Sequence, residues 1–456
     1  MNTLLKSATL ITMNPRREIL EGYDLYVEND RIENIAPQGS LTCRNDDRVL
    51  DCKGKFVIPG LISAHSHLTG MFQRGLWDET TFEAWTSRSS ATENLVDTSA
   101  EEIYVIHCAA CIEFIRHGVT TALNMFTPVP HLAGDKVESA CQALKDTGIR
   151  GILALSLKDQ SPDNEAIDPK AVSHDALIRF ATEVSERVAG MDRRLSFMLA
   201  PSAPQRCSDQ LLRHCSDLSK KLKVGVHTHL AETKGHAEMG RRIYGEPIVH
   251  HLERIGFLAP DLSVAHCIWL EDQELDLLKK YNVKIVHNPS SNMKLGSGIA
   301  QVKKMLSKGL TVALGADSVN AGTVYSIFEQ MRLSVLLPRA QWEPASWVLP
   351  EEAFEMATLG GARALLQDDI IGSIEAGKKA DLVILSPSTL LTPMNHLVNQ
   401  LVFCESGHSV ETVFVSGVPV MLQGRIQSVD EGEILKKLST LAPRIREAQR
   451  TVLKKG

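Results

Sequence analysis

Apolar and polar positions are patterned differently in the two ends of this chain and in its middle. The first sixty residues read as short strands with turn punctuation: Leu4 to Met13, Asp24 to Glu28, Arg31 to Ile35 and Arg48 to Asp51, with Asn29-Asp30 placed as a hairpin turn. From Pro59 the texture changes to β-rich apolar runs alternating with helical stretches, the pattern of a parallel α/β fold. The runs are Val57 to Leu61, Thr120 to Asn124, Gly151 to Leu155, Ser196 to Ala200, Lys223 to Thr228, Ser263 to Ala265, Lys284 to Val286 and Thr311 to Leu314. Eight such units over about 300 residues predict a (β/α)8 TIM-type barrel. Strand texture returns in Ala380 to Leu385 and Thr412 to Met421, with a two-residue turn at Ser416-Gly417. Residues 1–58 and 369–428 are therefore expected to form a small β-sandwich domain, residues 59–368 the barrel, and residues 429–456 a C-terminal helix. No internal repeat or low-complexity linker interrupts this plan.

Four of the predicted barrel strands end in the same grammar: an apolar run, then a metal-ligand or acid/base residue. Val57 to Ala64 runs into His65-Ser-His67, Val224 to Val226 into His227-Thr-His229-Leu-Ala-Glu232, Leu262 to Ala265 into His266, and Leu310 to Ala316 into Asp317. An H-x-H pair by itself arises on any polar strand end. Side chains alternate along a strand, however, so His65 and His67 share a face and can reach one divalent cation. All the candidate ligands fall at strand C-termini, the end where barrel enzymes carry their chemistry.

Composition and charge narrow the field. With 456 residues, 43% of them hydrophobic, the chain can bury one large core and a smaller one. A net charge of −6 without any Lys/Arg run excludes nucleic acid and anionic membranes as expected partners. The nine scattered cysteines lack a disulfide or zinc-ribbon spacing, which suits a reducing, cytoplasmic setting. Cys108 and Cys111 fall in a helical period and read as packing residues. Neither an export signal nor an apolar run of about 18 residues is present.

These motifs carry a resemblance. Pro59-Gly-Leu-Ile-x-x-His-x-His, His229-Leu-Ala-Glu232, His266-Cys267, His287-Asn-Pro-Ser-Ser-Asn-Met-Lys-Leu-Gly-Ser-Gly, Leu314-Gly-Ala-Asp317 and Gly377-Lys-Lys-Ala-Asp-Leu-Val follow one another in the order of the amidohydrolase superfamily. The chain resembles its branch of cytosine, guanine, adenosine and S-adenosylhomocysteine deaminases and s-triazine hydrolases. The resemblance implies one divalent metal, zinc or iron, on His65, His67, His229 and Asp317, with Glu232, His266 and Asp317 as catalytic residues. Strand four lacks a terminal Lys, so the bridging carbamylated lysine of two-metal relatives has no counterpart. The reaction so implied is attack of a metal-activated hydroxide on a heterocycle. Asp317 and His266 would orient the water, and Glu232 would protonate the ring nitrogen and the leaving group.

The implied activity is therefore hydrolysis of a C–N bond, a deamination of a purine, pterin, pyrimidine or triazine-like ring. Displacement of chloride or an alkylamine is the alternative chemistry, and a non-catalytic scaffold relative the alternative class. A family habit of assembly implies a homo-oligomer. Gln73, Trp77, Asp78, Ser202, Trp269 and Asn320 are the expected substrate contacts, Asp78 standing either as a ribose-binding carboxylate or as a loop acid. Trp85, Met125, Phe126 and Gln205 fall in the same loops. Ser202 stands where nucleoside deaminases of this branch carry histidine, and Leu155 where they carry arginine, which argues against a nucleoside. His227 and His287 are expected behind the ligands, and His236, His250 and His251 in solvated or packing roles.

Overall fold

The computed structural model describes residues 2–78, 81–129, 131–160 and 172–455. Eight parallel strands form one sheet in sequential order: Leu61–Ser63, Val119–Phe126, Arg150–Leu157, Leu195–Pro201, Gly225–Leu230, Leu262–His266, Lys284–His287 and Val312–Leu314. Ala64 N donates to Leu314 O at 2.9 Å, and Ser66 bridges Asp317 in parallel register, so the last strand returns to the first. Helices cross between successive strands, which is the expected (β/α)8 barrel.

The barrel interior is lined by small and medium residues, among them Ile62, Ala64, Leu123, Ile152, Ala154, Ala200, Val286 and Ala313. Ala362, Leu365 and Ile371 pack into the same cluster, and Gln367 Nε2 donates to Ser196 Oγ at the start of strand four. The N-terminal end of the barrel is thereby plugged. Residues of opposite strand parity, such as Val226 and Leu230, join the outer core beneath the helices.

The chain ends meet in a second, nine-stranded mixed sheet. Its N-terminal strands are Thr3–Ile11, Ile19–Glu28, Arg31–Pro37, Arg48–Asp51 and Phe56–Pro59, and its C-terminal ones Leu382–Leu385, Val410–Val415, Val418–Leu422 and Arg425–Ile426. Phe56–Pro59 pairs antiparallel with Leu382–Leu385, which fastens one chain end to the other. The hairpins turn at Asn29-Asp30 and Ser416-Gly417, with Asn29, Ser416 and Gly417 all at positive φ, as tight two-residue turns require.

Three expectations change at element boundaries. The run Val57 to Leu61 is two strands, because the chain passes from the mixed sheet into the barrel at Gly60. A Cβ there would sit 2.0 Å from Thr120 Oγ1, so only glycine permits this close approach. Strand five starts at Gly225, since Lys223 adopts φ 55° and closes the preceding helix Asp209–Leu222. The single C-terminal helix is two, Glu431–Ser439 and Ala442–Lys455. Pro443 cannot donate to the carbonyl of Ser439 but fits the first turn of the second helix. Among the described residues no helix is long and apolar enough to cross a membrane, and the nine cysteines are all unpaired.

Candidate active site

Strands one, five, six and eight deliver their terminal side chains to one point at the C-terminal mouth of the barrel. His65, His67 and His229 form one group whose ligand atoms all lie within 4.8 Å of one another, and His65, His266 and Asp317 form another. The backbone is bent to do this: Ala231, His266, Cys267 and Asp317 take φ of 45°, 77°, 51° and 57°. Left-handed conformations of non-glycine residues cost on the order of 1–3 kcal/mol each. Four at the ends of three strands mean that the fold spends stability to aim these groups. Strand eight also approaches the His65 segment closely, where a Cβ on Gly315 would lie 2.8 Å from His65 Cβ.

The outer ring nitrogens are fixed, which determines what the inner ones offer. His67 Nδ1 donates to Met125 O at 2.9 Å and His229 Nδ1 to Ser202 O at 2.6 Å. Both Nε2 atoms are therefore lone pairs, yet they face each other at 3.2 Å with no hydrogen to share. His65 Nδ1 lies 2.8 Å from His227 Nε2, and His227 Nδ1 lies 2.8 Å from Ser263 Oγ. In this relay each imidazole donates outward, and His65 Nε2 is left buried without a hydrogen-bond partner. It points toward Asp317 Oδ1, 3.6 Å away, which is 3.8 Å from His67 Nε2. Three unprotonated nitrogens and a carboxylate around one point form a donor set that suits a divalent cation of the zinc or iron type. Burial supports this, pushing His65 down to about 4 and His67 and His229 below their ordinary values, so the rings are free bases at neutral pH.

Glu232 and His266 lie beside that centre. His266 Nδ1 donates to Asn292 Oδ1 at 2.8 Å, and its Nε2 is 3.8 Å from Glu232 Oε1 and 3.9 Å from Asp317 Oδ2. Burial raises the Glu232 carboxyl to about 7, against the lowering influence of His266. Burial acts in the same direction on Asp317, but its contact with His65 and the neighbouring imidazoles hold it well below the usual carboxylate range.

A cavity of about 170 Å3, as bounded by the described residues, opens over the cluster. Of the expected substrate contacts, Gln73, Ser202 and Asn320 line it, together with Trp85, Met125 and Gln205. Gln73 and Asn320 are both tied to Ser89, on the helix Phe82–Val96, so they also hold that helix against the cavity. Trp77, Asp78 and Trp269 are not among the lining residues. Trp77 is buried with the Arg88 guanidinium 5.8 Å from its ring, and Asp78 is exposed. Trp269 is turned aside, its Nε1 donating to Ser297 O at 2.7 Å. Phe126 is part of the outer core.

Sequence reasoning missed Glu93, Arg206 and His236, which also line the cavity. His236 lies in the first turn of the helix Lys234–Tyr244 and packs edge-on against Phe82 at 5.0 Å, a packing role as expected, but on the cavity wall. Burial lowers it to about 3. Arg206 could have been found from its place four residues beyond Ser202; Glu93 lies in an otherwise polar helix and gives no signal.

Known proteins resemble this chain in sequence and fold. Residues 56–420 match the amidohydrolase family. A 5-methylthioadenosine/S-adenosylhomocysteine deaminase of Caldanaerobacter subterraneus is 34% identical over 437 residues, 94% of this chain and 95% of that protein. One of Halalkalibacterium halodurans is 33% identical over 95% of this chain and 96% of that protein. The crystal structure of an adenosine deaminase from Xanthomonas campestris with bound zinc superposes with a TM-score of 0.89 at 26% identity, covering 98% of both chains. An atrazine chlorohydrolase from Arthrobacter aurescens shares the fold with a TM-score of 0.90 at 22% identity, over 96% of this chain and 99% of that one. The chain belongs to the amidohydrolase family.

Proposed function

We propose that this amidohydrolase is a deaminase of a compact nitrogen heterocycle, working with one divalent metal ion, zinc in the first instance. The observation that carries the reading is the set of three imidazole lone pairs and one carboxylate at the barrel mouth, with a buried acid and a buried imidazole beside them. The relatives named as deaminases, and the zinc in the adenosine deaminase structure, support it.

His65, His67, His229 and Asp317 would hold the ion, which supplies Lewis acidity and makes hydroxide available near pH 7. Asp317 and His266 accept and orient the proton of the attacking water. Glu232 gives its proton to the ring nitrogen beside the attacked carbon, then takes the proton left on the added hydroxyl and passes it to the departing amine, and the proton held by Asp317 and His266 returns to Glu232. Ring amidine and water thus become ring lactam and ammonia. Ser202 and Gln73 provide polar contacts on the cavity wall. The reading also places the enzyme in a cytoplasm and in a homo-oligomer; unpaired cysteines support the first and light scattering tests the second.

The deciding experiment offers metal-loaded protein a panel of aminated and chlorinated purines, pterins, pyrimidines and triazines. Ammonia release with turnover is expected, accompanied by about one equivalent of zinc by elemental analysis. Chloride release without ammonia would make the protein a dehalogenating hydrolase instead. Neither product from any ring, in protein that binds no metal, would return it to the class of non-catalytic scaffolds.

A further inference from the structure

The cavity contains a cation that no acid among the described residues pairs with. Arg206 ends the turn Pro204–Arg206, and its backbone is fixed on both sides: its N donates to Ala203 O at 2.9 Å, and its carbonyl accepts from Asp159 N and Gln160 N. Its partly buried side chain lines the cavity. Among the described residues the guanidinium makes neither a hydrogen bond nor an ion pair; Glu232 acts on it, but only through space. Other sheltered arginines here behave differently: Arg150 is bidentate on Asp381, and Arg194 is bidentate on Asp192. A guanidinium presents five donors in a fixed fork, and removing it from bulk water without acceptors is costly. In a ligand cavity that cost is recovered by a ligand that brings the acceptor.

The position of the charge says which part of the ligand that is. Arg206 lines the same cavity as His67, Glu232 and His236, the groups at its reacting end, and its charge acts on all three. A ligand oxygen that meets its fork would share the cavity with the groups that act on the attacked ring. As bounded by the described residues, the cavity of about 170 Å3 is small beside the roughly 300–1,000 Å3 of pockets for drug-sized ligands, which favours a free base over a base carrying a sugar. We propose that Arg206 is a specificity-determining residue that binds an oxo or carboxylate oxygen carried by the substrate ring, so that the protein selects oxygen-bearing aminated bases over nucleosides. This rests on the deaminase reading above for its reaction, but not for its binding.

Matched probes test it: 2-amino-6-oxopurine against 2-aminopurine, 4-amino-2-oxopyrimidine against 4-aminopyrimidine, and 4-aminopyrimidine-2-carboxylate as the charged arm. Each is assayed for ammonia release with wild type, Arg206→Met and Arg206→Lys, all checked for bound metal and a native melting transition. Losing a charge-assisted hydrogen bond predicts that Arg206→Met lowers kcat/KM about 10- to 100-fold on the oxygen-bearing rings. The matched rings lacking the oxygen should change less than about threefold, with Arg206→Lys restoring part of the loss as a point charge without the fork. Whether the oxo or the carboxylate arm responds more identifies the oxygen. An equal loss on both members of each pair, or none on the oxygen-bearing ones, overturns the proposal. Calorimetric binding of the amine-free dioxopyrimidine supplies a readout independent of turnover. If wild type binds it through Arg206 yet releases ammonia from no ring, the deaminase reading fails and this one stands; if binding is unaffected in Arg206→Met while ammonia is released, the reverse holds.

Discussion

Two buried polar clusters sit at opposite ends of the barrel, and they are built on opposite rules. At the N-terminal end, Arg150 opens strand three and lies 2.8 and 2.9 Å from the two oxygens of Asp381, while Ser416 accepts a further guanidinium bond and donates its backbone N–H to Asp381. Asp381 O takes the N–H of Gly60, so this junction ties the mixed sheet to the barrel with each group satisfied. At the C-terminal end, His65 Nε2 has no partner and two imidazole lone pairs confront each other. A buried polar cluster that closes on itself serves architecture. One left open at a defined point serves a ligand.

Substitutions at the two ends should separate these roles. The largest effect is expected for Asp317→Ala, which removes a proposed ligand and the carboxylate facing His266: turnover should fall by more than about 10⁴-fold and bound metal should be lost, measured by steady-state assay and elemental analysis. Glu232→Gln should keep the metal while lowering kcat by about 10²- to 10⁴-fold; near-full turnover would remove Glu232 from the proton path. Arg150→Met at the other end should cost about 3–5 kcal/mol in denaturant unfolding by stranding the buried Asp381, with kcat per folded molecule unchanged. The mildest is His227→Phe, which breaks the relay that sets the His65 tautomer. It should weaken metal affinity about 10- to 100-fold in a chelator competition and leave the melting point within a few degrees in the metal-free protein.

Much of the open cluster was legible in the primary structure because a strand is a local object. His229 follows an apolar run of alternating parity, and His227 falls two residues earlier on the same face, so both could be assigned to the barrel interior before any partner was known. His65 and His67 were legible for the same reason, although they lie two and four residues beyond a short strand, Leu61–Ser63, that starts after Gly60 rather than at Val57. That boundary depends on how near Thr120 comes, and no local pattern records it. The closed cluster was half legible: Asp381 stood in a recognisable motif, but nothing in the sequence joined it to Arg150, 231 positions away.

The cavity wall was the least legible part. Trp77 and Trp269 had the right chemistry and the right loops, yet one packs inward beneath Arg88 and the other bonds to Ser297. Glu93 and His236 had no distinguishing context and line the cavity because the helices that carry them lie across the barrel mouth.

The sequence by itself determined the fold class, the strands and the strand ends that carry the clustered histidines and acids, because period-two alternation and turn chemistry act over a few residues. Only the tertiary structure decided which loop residues face the cavity and that Arg206 stands there without an ion pair among the described residues. Those facts depend on distances between segments far apart in the chain, which close packing sets and local preference does not.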